Sequence, residues 1–232
     1  KKPNLNFYST GNEITNKEKI PLWKVRNSNT YYLNSLMKNM PITFNEKIIL
    51  RDKDEIKFKK ELIKCAKSNI DLIATSGGVS AGKYDFVPNV IKKLSLKSYF
   101  KGVAIRPGKP ITFAKFNKNK IFFGLPGNPI SSAACFRFFI LPFLINSLDM
   151  PKEKPIYARL KNSFFKKKNF TRFIKGKLCS TKKGTNEFEV LKGQESFRIN
   201  SFTKANSWGF FPNGKSSFKK GSLVECYLSS PF

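Results

Sequence analysis

The first 150 residues alternate between short apolar runs and longer segments in which apolar side chains recur every three or four positions. The apolar runs predict strands at 5–9, 47–50, 70–75 and 103–105, and a hairpin formed by 111–116 and 121–124. The helical spacing predicts helices at 29–39, 54–67, 85–94 and 130–148. Strands that alternate with helices indicate a three-layer α/β fold, in which a mostly parallel sheet carries helices on both faces.

The pattern changes near Met150. From there on, helical periodicity is weak, and short strand-like runs are separated by Gly, Asn and Lys. These runs are 156–160, 170–178, 187–191, 208–211 and 223–228. Such spacing predicts a small all-β domain, either a barrel or a curled sheet. We therefore expect two domains, an α/β domain at 1–150 and a β domain at 151–232.

A glycine-rich loop follows the predicted strand at 70–75. It contains the candidate ligand-binding residues Thr75, Ser76, Gly77, Gly78, Val79 and Ser80. Glycines let an anionic ligand approach backbone N–H groups closely, and the three hydroxyl groups would add donors. The alternative is an ordinary strand-to-helix turn in which glycine only relieves backbone strain. The loop is not a Walker loop, because no Gly-Lys-Ser/Thr follows at the required spacing.

Two further loops have the same character. They comprise Arg106, Pro107, Gly108, Lys109 and Pro110 in one case, and Pro126, Gly127, Asn128 and Pro129 in the other. Two prolines stiffen the first turn, so its cations could hold an anion, or the turn could be a rigid connector. In the second loop, Asn128 is a candidate helix N-cap and Ser131 a further donor. Because ligands bind at the carboxyl ends of parallel strands, we expect one shared binding face.

Three carboxylates are predicted to lie at the same edge of the sheet, namely Glu13, Asp52 and Asp85. Oxygen donors of this kind suit Mg²⁺, and a metal would also allow a carboxylate to lie beside a phosphate. The alternative for each one is a helix cap or a surface acid, and Asp85 is a candidate cap for the helix that follows it.

Composition narrows the class of function. The chain has 44 Lys and Arg against 15 Asp and Glu, a formal charge of +29, and no histidine. Without histidine, this chain cannot contain a Ser-His-Asp or Cys-His catalytic group or a His-ligated metal. The segment 161–186 carries nine cations and no acid, yet it has no RNA-binding or zinc-finger pattern, so we do not expect nucleic acid as a partner.

Neither the cysteines nor the apolar segments suggest secretion. The four cysteines form no CxxC pair, and we expect them to be buried or half-buried thiols. The most apolar stretch, 130–148, is interrupted by Arg137 and Pro142, which favours a buried helix over a membrane span. We therefore expect a cytoplasmic protein with no membrane partner.

Taken together, these segments resemble the molybdopterin molybdenumtransferase family, which includes bacterial MoeA and the E domain of gephyrin. The family pattern Ser-Gly-Gly-Val-Ser-x-Gly-x-x-Asp is matched at 76–85, Lys-Pro-Gly-Lys-Pro at 106–110, and Leu-Pro-Gly-Asn-Pro-x-Ser at 125–131. The segment 9–13 resembles the family's Ser-Thr-Gly-Asp-Glu, and 27–29 its next loop. The resemblance covers nearly the whole chain, the three ordered motifs together are highly specific, and Val79-Ser80 and the segment 125–129 favour the molybdenum-inserting branch over its sister families.

The resemblance implies a molybdopterin-binding fold and an activity in molybdenum cofactor biosynthesis. It implies that adenylylated molybdopterin and molybdate are substrates, that molybdate is inserted with release of AMP, and that a divalent cation such as Mg²⁺ takes part. It also implies that Glu13, Asp52 and Asp85 line the catalytic and metal site while the glycine and Pro-Gly loops bind the pterin and phosphate end. The full-length protein is expected to be a homodimer.

Some positions depart from the family pattern. Asn12 stands where the family has Asp, Lys83 where an acid is often found, and Gly102 and Arg106 where the family has lysines. Altered activity, or a non-catalytic scaffold of the same fold that binds a pterin or a partner, is therefore the alternative. The resemblance further implies two domains before Lys1, so we expect a fragment or a protein whose N-terminal part is lost or encoded elsewhere.

Overall fold

A computed structural model describes residues 2–79, 85–116 and 119–230. The strands, in chain order, are β1 Asn4–Ser9, β2 Ile14–Thr15, β3 Val25–Arg26, β4 Thr43–Glu46, β5 Leu72–Ser76, β6 Lys97–Lys101, β7 Ile105–Arg106, β8 Thr112–Phe116, β9 Lys120–Leu125, β10 Ile156–Leu160, β11 Phe164–Phe165, β12 Thr171–Ser180, β13 Asn186–Val190, β14 Ser207–Phe211, β15 Ser217–Phe218 and β16 Leu223–Leu228. The α-helices are α1 Ser28–Met37, α2 Glu55–Ala66, α3 Val87–Lys93, α4 Pro129–Cys135, α5 Leu141–Ser147 and α6 Ile199–Thr203, with a π-helical segment Phe136–Ile140 between α4 and α5.

The chain divides into two compact units. The first unit contains Lys1–Val103 and Pro110–Phe136, and the second contains Ala104–Lys109 and Arg137–Phe232. The short segment Ala104–Lys109 thus belongs to the second unit although it lies within the sequence of the first.

The first unit is built on a six-stranded mixed sheet with the order β4-β1-β5-β9-β8-β6. β4, β1, β5 and β9 are parallel, whereas β8 and β6 are antiparallel to their neighbours. The parallel sheet expected from the sequence is confirmed, with an antiparallel edge added. That edge strand, β6, was not predicted, because its exposed lysines hide the apolar pattern.

The predicted strand at 47–50 is wrong. The strand is Thr43–Glu46, and only Leu50 forms an isolated bridge, to Thr10. An edge strand pairs on one side alone, so polar Asn45 and Glu46 are tolerated there and conceal it from an apolar pattern.

Helices cover both faces of this sheet. Successive side chains of β1 point to opposite sides and therefore contact both helical layers. On one side the Asn6 amide donates to Cys65 Sγ of α2 at 3.3 Å, and Phe58 of α2 packs edge-on against Tyr8 with ring centroids 5.8 Å apart. On the other side Ser9 Oγ donates to Asn27 Oδ1 at 2.8 Å, just before α1. α2 packs with α3, and α1 packs with α4, which gives the predicted three layers.

In the second unit, five strands close into a barrel. Their order is β13-β10-β16-β14-β12, and β12 also pairs with β13, which closes the ring. β7 adds to β12 in parallel. The barrel interior is filled by side chains such as Ile174, Phe188 and Phe211, all fully buried. The predicted small β domain is confirmed, and the predicted strand at 103–105 is shifted to Ile105–Arg106 and joins this barrel rather than the first sheet.

The apolar stretch after β9 is helical. Pro129–Ser147 is long and apolar enough to cross a membrane by length and composition, with a mean hydropathy of 1.5, but 67% of its apolar window is buried inside the protein. Burial of that extent agrees with the core helix expected from the sequence.

Candidate functional site

A cavity of about 390 Å³ lies in the first unit, where the parallel strands end. Its walls come from the loops after β1, β4, β5 and β9. The predicted site residues that line it are Glu13, Asp52, Gly77, Gly78, Val79, Asp85, Pro110, Pro126, Gly127, Asn128 and Ser131. The chain thus brings together, in one cavity, side chains and loops that lie more than 110 positions apart in the sequence.

Two glycines allow the loops after β5 and β9 to meet through their backbones. Gly77 has φ +97°, and a Cβ atom there would lie 2.3 Å from Thr10 Oγ1 and 3.6 Å from the Cα of Gly127. The Gly77 N–H donates to the Leu125 carbonyl at 2.8 Å, which fastens the two loops together. Because no side chain fits at Gly77, the floor of the cavity is backbone.

Asn29, near the start of α1, is hydrogen-bonded to both of these loops. Its side-chain amide is buried and donates to the Gly127 carbonyl at 2.9 Å and to the Ser76 hydroxyl. The sequence marked residues 27–29 only as a family-like loop and did not reveal this positioning role, because Gly127 lies 98 residues further along the chain.

The loop after β1 is held by Arg51. Its guanidinium donates to the carbonyls of Gly11 and Ile14, each at 2.9 Å. A Cβ atom at Gly11, where φ is +131°, would lie 2.5 Å from the Glu13 carboxylate. Gly11 therefore leaves the space in which the Glu13 carboxylate lies, and Arg51 is a second positioning residue that the sequence did not single out.

Asn12, which stands where the family has Asp, makes a structural contact. Its side-chain oxygen accepts a hydrogen bond from the Asp52 N–H at 3.3 Å. An amide oxygen can accept this bond as well as a carboxylate can. The substitution therefore keeps the two loops joined while it removes one negative charge from beside the cavity.

Glu13, Asp52 and Asp85 share the cavity without forming a compact cluster. Among residues 2–79, 85–116 and 119–230, no three acidic, cysteine or histidine side chains are grouped closely enough to hold a metal ion by themselves. The alternative role of Asp85 as a helix cap is wrong, because α3 has Phe86 as its N-cap. Asn128, by contrast, caps α4 as predicted, accepting from the Ile130 N–H at 3.2 Å.

Some predicted binding residues of the first unit lie elsewhere. Thr75 is completely buried, and its hydroxyl has no hydrogen-bond partner within the described chain. Ser76 is buried against Asn29, and Pro129 is the first residue of α4. Ser80, together with the divergent Lys83, lies outside the described residues.

The loop residues Arg106, Pro107, Gly108 and Lys109 belong to the second unit. There, β7 pairs with β12 so that Arg106 lies opposite Arg172. The Arg106 guanidinium stacks 4.4 Å from the ring centroid of Phe170, whose carbonyl accepts from Lys166 Nζ at 2.8 Å.

This cluster of cations, Arg106, Lys166 and Arg172, has a strongly positive character. Burial, and then the charge of Arg106, lowers the pKa of Arg172, and burial followed by the charge of Arg172 lowers the pKa of Lys166. Arg172 Nε is buried and has no hydrogen-bond partner within the described residues. A small oxyanion bound beside these cations would relieve their mutual repulsion. The sequence indicated only Arg106, because Lys166 and Arg172 lie at least 60 residues later in the chain.

The first unit is thus a three-layer α/β domain, in which a largely parallel sheet carries a loop-lined cavity at its carboxyl edge. The profile of the family described as "Probable molybdopterin binding domain" matches residues 6–146. The profile of the "MoeA C-terminal region (domain IV)" matches residues 157–229. The chain therefore belongs to the family of probable molybdopterin binding domains, and its last third matches the MoeA C-terminal region.

The chain is also similar to individual proteins over nearly its whole length. The chain is 32% identical to a protein named molybdopterin molybdenumtransferase from Synechocystis, over 97% of this chain and 55% of the relative. It is also 32% identical to one of the same name from Staphylococcus epidermidis, over 99% of this chain and 54% of that protein. The crystal structure of a MoeA protein from Pyrococcus horikosii superimposes with a TM-score of 0.79 at 27% identity, over 98% of this chain and 55% of that one. The chain spans about half the length of these relatives.

Proposed function

We propose that this chain functions in molybdenum cofactor biosynthesis, as part of a molybdopterin molybdenumtransferase. In this proposal the cavity of the first unit binds adenylylated molybdopterin, and the complete protein inserts molybdate and releases AMP. The observation that carries the proposal is that three carboxylates, the glycine loop and the loop 126–128 line one cavity of a domain that matches the probable molybdopterin binding family.

The cavity residues supply position and charge. Arg51 and Gly11 fix the Glu13 carboxylate at the cavity, and Asn12 holds the loop that carries Asp52. The backbone floor at Gly77 and Gly127 lets a flat pterin or a phosphate come closer than any side chain would allow. Placing the reacting groups in this way is the main contribution we assign to the protein.

The donor set also fits a divalent cation such as Mg²⁺. Mg²⁺ is commonly bound through one or two carboxylates together with substrate phosphates, so a preformed three-carboxylate cluster is not needed. Glu13, Asp52 and Asp85 are the residues that would hold it. When bound, such an ion neutralises charge on the pyrophosphate of the substrate.

We assign the cationic cluster of the second unit to molybdate. Two guanidinium groups and an ammonium group, at Arg106, Arg172 and Lys166, supply the positive charge that suits a tetrahedral dianion. The whole protein is further proposed to be a cytoplasmic homodimer, on the family resemblance alone. A non-catalytic scaffold is the weaker alternative, since the curated relatives are named as enzymes.

The test uses the full-length protein that contains this chain. AMP release from adenylylated molybdopterin is measured on addition of molybdate and Mg²⁺. We expect Asp85→Asn to lower the rate by about 100-fold or more, because it removes a charge at the reacting phosphates. Far-UV circular dichroism should show an unchanged fold.

Asp149→Asn is the matched control, since Asp149 is exposed, lies outside the cavity and has φ +52°, a conformation that Asn tolerates. This control should keep the wild-type rate. Full activity of Asp85→Asn would refute the assigned role of Asp85, and the absence of AMP release from the wild-type protein would refute the proposed function.

A further inference from the structure

A second cavity, larger than the one in the first unit, is not used by the proposed function. It is a groove of about 730 Å³ in the second unit, formed by residues 189–193 and 197–201 together with Asn162 and Lys204. Grooves of this size accommodate small organic molecules. None of the groove residues was predicted to bind a ligand.

One wall of the groove is an irregular loop that a buried lysine holds in place. Lys175 is 1% exposed, and its ammonium group donates to the carbonyls of Gly193, Glu195 and Arg198 at 2.9, 3.2 and 3.2 Å. All three of its N–H groups are used. Most loops are shaped by turns of the backbone itself. Here a buried ammonium group holds the loop through three hydrogen bonds, so the groove wall keeps one conformation.

Side-chain bonds complete this support. The Gln194 amide accepts from the Lys175 N–H at 3.0 Å and donates back to the Lys175 carbonyl at 2.8 Å. Ser201 Oγ donates to Gly193 O at 2.6 Å, from the opposite end of the loop. The wall is therefore preorganised, which lowers the entropic cost of binding a ligand.

The surface of the groove combines exposed apolar side chains with an excess of positive charge. Phe197 and Ile199 are 69% and 47% exposed, although apolar side chains of this size normally avoid water. Lys192 and Lys204 form no ion pair with any described residue.

The other two charges of the groove are already paired. Glu189 binds Lys161 at 2.8 Å, and Arg198 binds Glu195 at 3.3 Å. The unpaired charge of the groove therefore comes from Lys192 and Lys204, both positive.

We propose that this groove binds a small amphipathic anion, that is, an aromatic or aliphatic group that carries a carboxylate, sulfonate or phosphate. The apolar part would cover Phe197 and Ile199, and the anionic group would neutralise Lys192 and Lys204. Charge complementarity selects this ligand class over a neutral or cationic one. The inference does not depend on molybdenum chemistry, because it involves no residue assigned to the pterin or to molybdate.

The probe is 8-anilinonaphthalene-1-sulfonate, an aromatic sulfonate whose fluorescence rises on binding to a protein. It is titrated into the wild-type chain and into Lys192→Glu/Lys204→Glu, and the dissociation constants are compared. We expect the double variant to bind about tenfold more weakly, as two exposed charges are reversed. The matched control is Lys182→Glu/Lys183→Glu, which makes the same change of net charge at exposed lysines outside the groove.

A second pair of variants tests the apolar wall. Phe197→Ala should weaken dye binding about fivefold, since it removes an aromatic partner. Phe165→Ala removes an equally exposed ring, 72% exposed, outside the groove and should leave binding within about twofold of wild type, as for a surface change away from the site. All of these side chains are exposed, so the variants should keep the fold, as checked by circular dichroism.

The amide resonances of Gly193 and Ser201 locate the dye, and they should shift on titration. The proposal is overturned if the control charge reversal weakens binding as much as the groove variant, because binding would then be non-specific. It is also overturned if both apolar variants bind like the wild type, or if the wild-type chain binds no dye at millimolar concentration.

Discussion

The cavity of the first unit and the groove of the second unit are made in opposite ways. The cavity depends on the absence of side chains, since Gly77 and Gly127 let two loops touch backbone to backbone. The groove depends on a long side chain, since Lys175 reaches from a barrel strand to three carbonyls of an irregular loop.

The charges of the two sites differ as well. The cavity carries carboxylates, and the groove carries lysines, so one chain presents an acidic and a basic site. The loops of the acidic site are joined by hydrogen bonds between residues 40 to 98 positions apart, whereas Lys175 holds the loop of the basic site 18 to 23 positions further along the chain. Substitutions should therefore damage the two sites for different physical reasons.

The largest effect is expected from filling the space at Gly77. Gly77→Ala would place a methyl group 2.3 Å from Thr10 Oγ1, at a φ of +97° that disfavours any side chain. We expect a loss of about 4 kcal/mol in the free energy of unfolding of the first unit, from backbone strain and steric overlap together. Urea unfolding followed by far-UV circular dichroism measures it.

The matched control for this change is Gly184→Ala. Gly184 also has a positive φ, +73°, but nothing lies within 4 Å of its missing Cβ atom. Gly184→Ala should lower the free energy of unfolding by only about 1 kcal/mol, because backbone strain is the sole contribution there. Equal losses at both glycines would show that close packing does not shape the cavity.

The next effect tests whether buried cations stabilise the second unit through their partners. Arg137 is 2% exposed and bonds both Glu153 oxygens at 2.6 Å and the Leu228 carbonyl at 2.9 Å. Glu153→Gln should lower the free energy of unfolding by about 3 kcal/mol, because it leaves a buried charge without its counter-ion. The buried indole of Trp208 reports unfolding of this unit by fluorescence.

An exposed ion pair serves as the comparison. Glu189→Gln breaks the pair with Lys161, which is held at 2.8 Å on the surface. Solvent screens that pair, so the free energy of unfolding should not change measurably. A stability loss as large as that of Glu153→Gln would contradict the importance of burial.

A smaller effect is expected at Lys175. Lys175→Met keeps most of the buried volume but leaves three loop carbonyls without their donor, at a cost of about 2 kcal/mol. Amide hydrogen exchange over 193–198 should become faster. Lys177→Met, at an exposed position of the same strand, should change neither quantity.

The last effect is a dependence on pH. Burial, the largest cause, lowers the pKa of Lys175 to about 8 from its ordinary value of 10.5; the charge of Arg172 lowers it further, and Glu195 opposes the shift. Between these two pH values the unfolded chain binds more protons than the folded one, so folding stability rises with pH. The second unit should therefore gain stability from pH 8 to 10.5 relative to Lys175→Arg, whose guanidinium does not titrate. Parallel Trp208 unfolding curves for both proteins across this range would refute the predicted pKa.

The sequence was most informative about features that a few consecutive residues form. The glycine loop, the Pro-Gly loops and the Asn128 cap could be predicted because turns and caps need particular residues at particular positions. The three carboxylates could also be predicted, because each follows a strand and the carboxyl ends of parallel strands meet at one edge. Their roles in binding and catalysis stay predictions.

The edge strands and the cationic side chains were not predictable in this way. β4 and β6 are paired on a single side, so their polar residues do not produce the apolar pattern of a buried strand. Lys166 and Arg172 occurred among nine cations of one segment and could not be separated from solvated surface lysines.

By itself, the sequence determined the alternation of strands and helices in the first unit, the presence of a β domain in the last part of the chain, and most of the loops that form the cavity. Those features follow from hydrophobic periodicity and turn chemistry, which act over a few residues. Only the tertiary structure decided that Arg51 holds the loop of Glu13, that Asn29 reaches Gly127, and that Lys175 supports the groove. The physical reason is that the desolvation cost of a buried polar side chain is offset by hydrogen bonds to backbone groups that the fold brings to it. No local pattern in the chain identifies those groups.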